Sequence, residues 1–199
     1  QLPNLTAHNE TCANIGNLLW NWRMLQITGD SKYADILELS LYNSILSGVS
    51  LSGYDFCYTN PLAVSDKFPY KMRWSGGRIP YIALSNCCPP NTVRTISEVH
   101  NYTYSLSDDG LYFNLYGGNT LNTTLSNGKN IELTQSTNYP WDGNIEISLK
   151  NVPQDLILYF RIPQWCKEAS IFINDEMKFS KIKGGAYFPL KHKWKKNDK

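Results

Sequence analysis

The apolar positions follow two different periods along the chain. From Thr11 onward Ile15, Leu18, Leu19, Trp22 and Leu25 fall on one face at helical spacing. Gly29 is a stop signal, and Asp30 or Ser31 is a cap for the next helix. There Tyr33, Ile36, Leu37, Leu41 and Ile45 keep the same period, ending near Gly48. So short a link predicts an antiparallel αα-hairpin. A third helix is expected over residues 89–104. Pro89 and Pro90 sit at its start, where the first amides have no helical partner to lose. Ile96 and Val99 are its expected core residues, and Trp20 and Trp22 read as helix-packing residues. Between the helices, residues 49–86 read as irregular or extended. "GYDFCYTNP" is a short strand there and "WSGGRIPY" a loop.

After about residue 105 the period becomes two. Leu111, Phe113 and Leu115 share a face, as do Ile145, Ile147 and Leu149, and then Leu156, Leu158, Phe160 and Ile162. "SIFIND" and "GGAYFPL" continue the pattern. Asp109-Gly110, Asn127-Gly128, Asp142-Gly143 and Gly184-Gly185 are turn signals between the runs. Short strands at this spacing predict an antiparallel β-sandwich. The expected class is α+β in two domains, helical over residues 1–103 and a sandwich over 104–199.

Composition narrows the function. Hydrophobic residues make up 42% of 199, enough for a packed core. The net charge of +2 is spread evenly up to the tail "KHKWKKNDK", so no basic face points to nucleic acid. The tail reads as a solvated segment or a cut end. No apolar run approaches the ~20 residues of a membrane span, and no signal-peptide pattern is present. The start without methionine and the abrupt finish lead us to expect a piece of a longer protein. The sequons at Asn4, Asn9, Asn101 and Asn122 read as chance in a chain rich in Asn, Ser and Thr.

The five cysteines, Cys12, Cys57, Cys87, Cys88 and Cys166, are odd in number and scattered, unlike a disulfide framework. Glu10 and Cys12 lie at the start of the first helix, and Cys87 and Cys88 precede the third. Thiolates with a carboxylate suit zinc. The spacing alone leaves another reading open, since free cysteines also serve as small buried hydrophobes. That second reading is the one expected for Cys57 and Cys166. Glu38 by itself reads as a surface glutamate and Tyr58 as a strand tyrosine. Trp74 is a candidate platform for a sugar ring. His8, His100 and His192 form no recognisable triad, although His8 stands beside Glu10.

"ETCANIGNLLWNWRMLQITGDSKYADILELSLYNSILSGV", then "FCYTNPL" and "CCPPNTVRTISEV", resemble the bacterial β-L-arabinofuranosidases of glycoside hydrolase family 127, first known as the DUF1680 proteins. The resemblance spans residues 2 to 120, with looser similarity through "IPQWC". It implies that Glu10, Cys12, Cys87 and Cys88 hold zinc and that Cys87 is the nucleophile. It also implies that Glu38 and Tyr58 contact the sugar. The family's acid/base glutamate would lie upstream of "LPN". The implied fold is the closing helices of an (α/α)6 barrel followed by a β-sandwich. The implied substrate is a carbohydrate, an arabinofuranoside of plant glycans or glycoproteins. The implied setting is a bacterial cytoplasm or periplasm. Two further readings compete: a non-catalytic sugar-binding protein of helical and sandwich modules, and a metal- or redox-sensing thiol protein. The absence of a C-x-x-C pair speaks against the last.

Overall fold

The computed structural model describes residues 7–60, 62 and 87–199, and the backbone of residues 78–80. Trp74 and most of the "WSGGRIPY" loop lie outside the described residues. The chain forms two compact units, one of Gln1–Ile27 with Ile36–Val99, the other of Thr28–Asp35 with His100–Lys199.

In the first unit, helix α1 spans Thr11–Thr28 and buries Thr11, Ile15, Leu18, Asn21 and Leu25. Ile15, Leu18 and Leu25 are buried as expected, Leu19 and Trp22 are only half-buried, and Asn21 is buried beside them. Trp20 is 67% exposed, so it does not pack in a core here. Gly29, in the left-handed region at φ 66°, follows the helix. Asp30 then turns the chain into α2, Ser31–Ser40, its carboxylate accepting the Lys32 amide at 3.0 Å; Thr28–Asp35 belong to the second unit and the rest of α2 to the first. A π-helical turn over Leu41–Ile45 and a 3-10 turn over Leu46–Gly48 extend α2 to the expected end. Strand β1, Asp55–Cys57, pairs antiparallel with β2, Arg78–Pro80. Helix α3 runs Cys88–Glu98, and a short α4 follows at His100–Thr103, so the expected third helix is broken at Val99. Its buried face is also different. Thr92 and Thr95 point inward, while Ile96 is 39% exposed. Thr95 tolerates burial because its hydroxyl donates to the Asn91 carbonyl at 2.8 Å.

The second unit is built of sheets. Strands β3 (Tyr104–Leu106), β4 (Gly110–Phe113), β8 (Ile157–Ile162) and β11 (Ala186–Leu190) form a four-stranded sheet in the order β11-β8-β4-β3. Strands β5 (Asn119–Thr124), β6 (Asn130–Thr137) and β7 (Ile145–Asn151) form a second. The β9–β10 hairpin (Ala169–Ile173, Glu176–Ile182) is separate. It turns at Asn174 and Asp175, both at positive φ, a signal overlooked in "SIFIND". Leu111, Phe113, Leu158 and Leu190 of the first sheet share one core with Ile131, Leu133 and Leu149 of the second. One feature departs from the expected antiparallel sandwich: β4 and β8 are parallel. Residue alternation reports which face is buried, not which direction a neighbour runs. The tail is solvated along its lysines, as expected, but two of its residues are buried and dock it. Trp194 is buried with its indole N–H on the Leu156 carbonyl at 2.7 Å. Asp198 is buried too, accepting from the Lys195 amide at 2.8 Å and from Asn174 at 2.9 Å.

Arg161 is the least expected residue of this unit. It stands between Phe160 and Ile162, yet its side chain is wholly buried. Its Nη1 meets Asp35 Oδ1 at 2.6 Å and its Nε donates to the Asn114 carbonyl at 2.6 Å. The Asn114 side chain in turn accepts from Tyr187 at 2.7 Å and donates to Ser105 at 2.8 Å. Removing the guanidinium strands a carboxylate and a carbonyl that the fold has taken out of water. Arg161→Leu is expected to cost about 3–5 kcal/mol, as for other broken buried pairs. Urea unfolding followed by sandwich fluorescence reads this directly. A loss below about 1 kcal/mol, the scale of an exposed pair, would show that the pair contributes little.

Candidate metal centre

Two helix starts and one strand converge in the first unit. The chain just before α1 bridges to the segment after β1: Glu10 pairs with Thr59, and the Thr11 amide donates to the Tyr58 carbonyl at 2.9 Å. The buried Thr11 hydroxyl donates to the Cys57 carbonyl at 2.7 Å. The Asn9 side-chain amide closes the same bridge by donating to the Asn60 carbonyl at 2.6 Å. These contacts fix the direction in which Glu10 and Cys12 leave the backbone. On the other side Cys87 caps α3, and the Asn91 amide donates to its carbonyl at 3.0 Å. Pro89 and Pro90 follow within the first turn, as expected. The dipeptide therefore projects its two sulfurs from the positive end of an 11-residue helix.

The four predicted ligands meet. One ligand atom each from Glu10, Cys12, Cys87 and Cys88 lies within 4.8 Å of every other. The Cys12 and Cys88 sulfurs are 3.4 Å apart and the Cys87 and Cys88 sulfurs 3.7 Å. Glu10 Oε1 stands 3.9 Å from both Cys87 and Cys88. Donors at about 2.3 Å from a tetrahedral centre stand about 3.8 Å from each other. The observed separations straddle that value, and a thiolate-rich donor set with one carboxylate is one that zinc accepts. The residues fit the metal. Cys57, at the end of β1, is buried and outside this group, as expected. Cys166 is not the buried hydrophobe expected of it: it is half-exposed, its sulfur 3.4 Å from the Glu168 carbonyl.

The remaining candidates are distributed unevenly. Tyr58 is at the cluster: its carbonyl is 3.9 Å from the Cys88 sulfur and its ring faces His8 at 6.2 Å. Burial, and then the negative charge of Glu10, push its phenol upward. His8 does reach the site, its Nε2 3.1 Å from Glu10 Oε2. Glu38 lies on α2 and is buried, 5% exposed, against the surface position that composition alone suggests. Asn91 is a residue the sequence reading overlooked. Its Nδ2 stands 3.2 Å from the Cys12 sulfur. The signal was available, since the asparagine follows "CCPP" one helical turn after Cys87.

Residues 1–101 match the profile described as "Beta-L-arabinofuranosidase, GH127 catalytic domain", and residues 110–199 that of the "GH127 middle domain". The chain belongs to glycoside hydrolase family 127. The family relatives are much longer. A non-reducing end β-L-arabinofuranosidase of Bifidobacterium longum subsp. longum is 31% identical over 173 residues, 83% of this chain and 26% of that protein. A solved structure described as a glycoside hydrolase is 50% identical with a TM-score of 0.92, covering all of this chain and 33% of its own. A family 127 β-L-arabinofuranosidase from Geobacillus stearothermophilus T6 is 36% identical with a TM-score of 0.84, again with full coverage of this chain and 32% of its own. The chain thus spans about a quarter to a third of the length of these relatives.

Cys12 and Cys88 hold their protons more firmly than ordinary thiols when no cation is present. Burial pushes Cys88 well above the ordinary thiol value of 9.0. Burial raises Cys12 as well, against an opposing hydrogen bond from Asn91. A raised value in the folded state means that folding favours the protonated thiol. That stability is complete below 9.0 and is lost as pH climbs above it. The melting temperature of chelator-treated protein is therefore expected to fall as pH passes 9.0, and to fall less steeply in a Cys12→Ala, Cys88→Ala double variant. A melting temperature that rises over the same range would contradict the assignment of these thiols as buried and neutral.

Proposed function

We propose that this chain carries the nucleophile of a retaining glycosidase acting on β-linked L-arabinofuranosides, with a zinc-held cysteine in place of the usual carboxylate. The observation that carries the reading is the convergence of Cys12, Cys87, Cys88 and Glu10 at tetrahedral separations. The names of the relatives supply the substrate class. Zinc, when bound, would keep the sulfurs as thiolates at neutral pH and draw off part of their charge. Glu10, Cys12 and Cys88 would be the anchors. In the same reading the helices are the closing part of an (α/α)6 barrel over residues 1–103, and the sheets are the sandwich over 104–199.

Retaining hydrolysis needs two displacements at the anomeric carbon. Cys87, half-exposed at the head of α3, makes the first. Its sulfur forms a bond to the anomeric carbon as the bond to the leaving oxygen breaks. A glutamate upstream of "LPN" protonates that oxygen. The same carboxylate then takes a proton from water. The water oxygen attacks the anomeric carbon, the carbon–sulfur bond breaks, and Cys87 leaves as the thiolate. Two inversions give net retention. Tyr58, beside the cluster, and Glu38, on α2, contact the sugar hydroxyls. The 199 residues without the upstream glutamate are expected to be inactive.

The test is made on the whole protein. Cys87→Ser is expected to abolish nearly all activity with little change in fold, because a hydroxyl is far harder to ionise and a poorer zinc ligand. Cys88→Ser is expected to lose zinc together with activity. Mass spectrometry after reaction with an arabinofuranosyl inactivator should find the sugar on Cys87. An adduct on a carboxylate with Cys87 untouched would remove the nucleophile role. Full zinc occupancy by elemental analysis in a Glu10→Ala, Cys12→Ala, Cys88→Ala variant would remove the metal site.

A further inference from the structure

We infer that Asn91 is a positioning residue of the zinc site, holding Cys12 as a ligand through an N–H···S hydrogen bond. The inference rests on the zinc reading above and adds to it a residue that is not a ligand. Asn91 stands one turn into α3, where its backbone N–H is already used on the Cys87 carbonyl at 3.0 Å. Its side chain is free to serve another purpose. Nδ2 lies 3.2 Å from the Cys12 sulfur. Oδ1 accepts from Arg94 Nη2 at 3.2 Å, and Arg94 Nη1 in turn meets Glu98 Oε2 at 3.4 Å.

These two contacts fix which way the amide faces. An asparagine amide has a donor end and an acceptor end. Turned over, it would set an oxygen lone pair against a sulfur and an NH2 against a guanidinium, unfavourable at both ends. Arg94 offers only donors, so it selects the orientation that aims N–H at Cys12. Asn91 thus fixes the position of the Cys12 sulfur from the side of α3. It also ties a ligand from the start of α1 to the helix that carries Cys87 and Cys88. Partners of this kind, one step removed from a metal, typically change metal affinity by about 10–100-fold.

The experiment compares zinc affinity, by competition with a chromophoric chelator, for the unaltered protein and for Asn91→Leu, Asn91→Asp and Arg94→Ala. Asn91→Leu keeps the size and removes the donor, and should weaken zinc about 10–100-fold. Asn91→Asp sets a carboxylate against the sulfur and should weaken it further. Arg94→Ala leaves the amide in place without its guide and should give a smaller loss. A cobalt(II)-loaded sample gives a readout that a merely structural role would not move. Losing the hydrogen bond leaves the sulfur richer in electrons, so the sulfur-to-cobalt charge-transfer band should shift to longer wavelength in Asn91→Leu. Should Asn91→Leu fail to fold by circular dichroism, Arg94→Ala decides, since it leaves Asn91 and all four ligands intact. Zinc binding within twofold of the unaltered protein, with an unmoved cobalt band, would overturn the role of Asn91 and leave the zinc reading standing. An unaltered protein that binds no zinc would sink both.

Discussion

Three sulfurs and a carboxylate oxygen gathered within 4.8 Å are the constraint around which the helical unit is arranged. Such a group is unfavourable as four anions and unremarkable as three thiols with one carboxylate. The fold resolves this by burial. Cys88 is wholly buried and its proton is held far more firmly than in an ordinary thiol. A cation would reverse the balance, since metal ligation requires the deprotonated donors. In the proposed reading the site exchanges protons for a metal, and its separations fit such a set of ligands.

What holds the group together is mostly backbone. The bridge between the start of α1 and the segment after β1 consists of main-chain bonds from Thr11 to Tyr58 and from Asn60 to Asn9, flanking the Glu10–Thr59 pair and reinforced by the Thr11 hydroxyl. Thr11 is 1% exposed, and a bare methyl in its place would leave the Cys57 carbonyl without this partner. Gly48 lies beside Thr11, where a Cβ would meet the hydroxyl oxygen at 3.4 Å, an ordinary contact. On the far side the proline pair stiffens the entry to α3. Ligands presented from such short, over-determined segments lose little freedom on meeting a metal, which is the general condition for a tight site.

Much of this was legible from residue order, and the exceptions have physical causes. The α1 stripe and the alternation of Leu111 with Phe113 are local patterns, and local patterns survive folding. The turn at Asn174-Asp175 was also local and could have been read. Arg161 could not. A charged residue inside an alternating strand normally faces water, and its partner Asp35 is 126 residues away. The parallel contact of β4 with β8 is equally silent in the alternation, because both directions bury the same face. Ile96 misled for another reason: the face that α3 buries is set by its neighbours, and they select Thr92 and Thr95. The cluster itself was half-legible. Residue types at two helix starts suggested ligands. The approach of Cys12 and Cys88 across 76 residues is a property of the fold, anticipated only through the family resemblance.

The adjacent pair Cys87-Cys88 finally shows how one dipeptide can hold two different environments. Cys87 sits at the cap position with φ −102°, and Cys88 is the first residue of the helix. Successive residues at a helix start point about a quarter-turn apart. One sulfur is consequently buried against the Tyr58 carbonyl and Cys12, while the other keeps partial access to solvent. A nucleophile needs that access, and an anchor is better without it. Were the two cysteines separated by two residues, as in common zinc knuckles, both would be held alike and neither would be free to approach a substrate. Adjacency at a proline-stiffened helix start gives the asymmetry without any further element. Asn91, one turn later on the same helix, reaches the Cys12 sulfur at 3.2 Å, so α3 bears on the sulfur that α1 carries as well as on its own two.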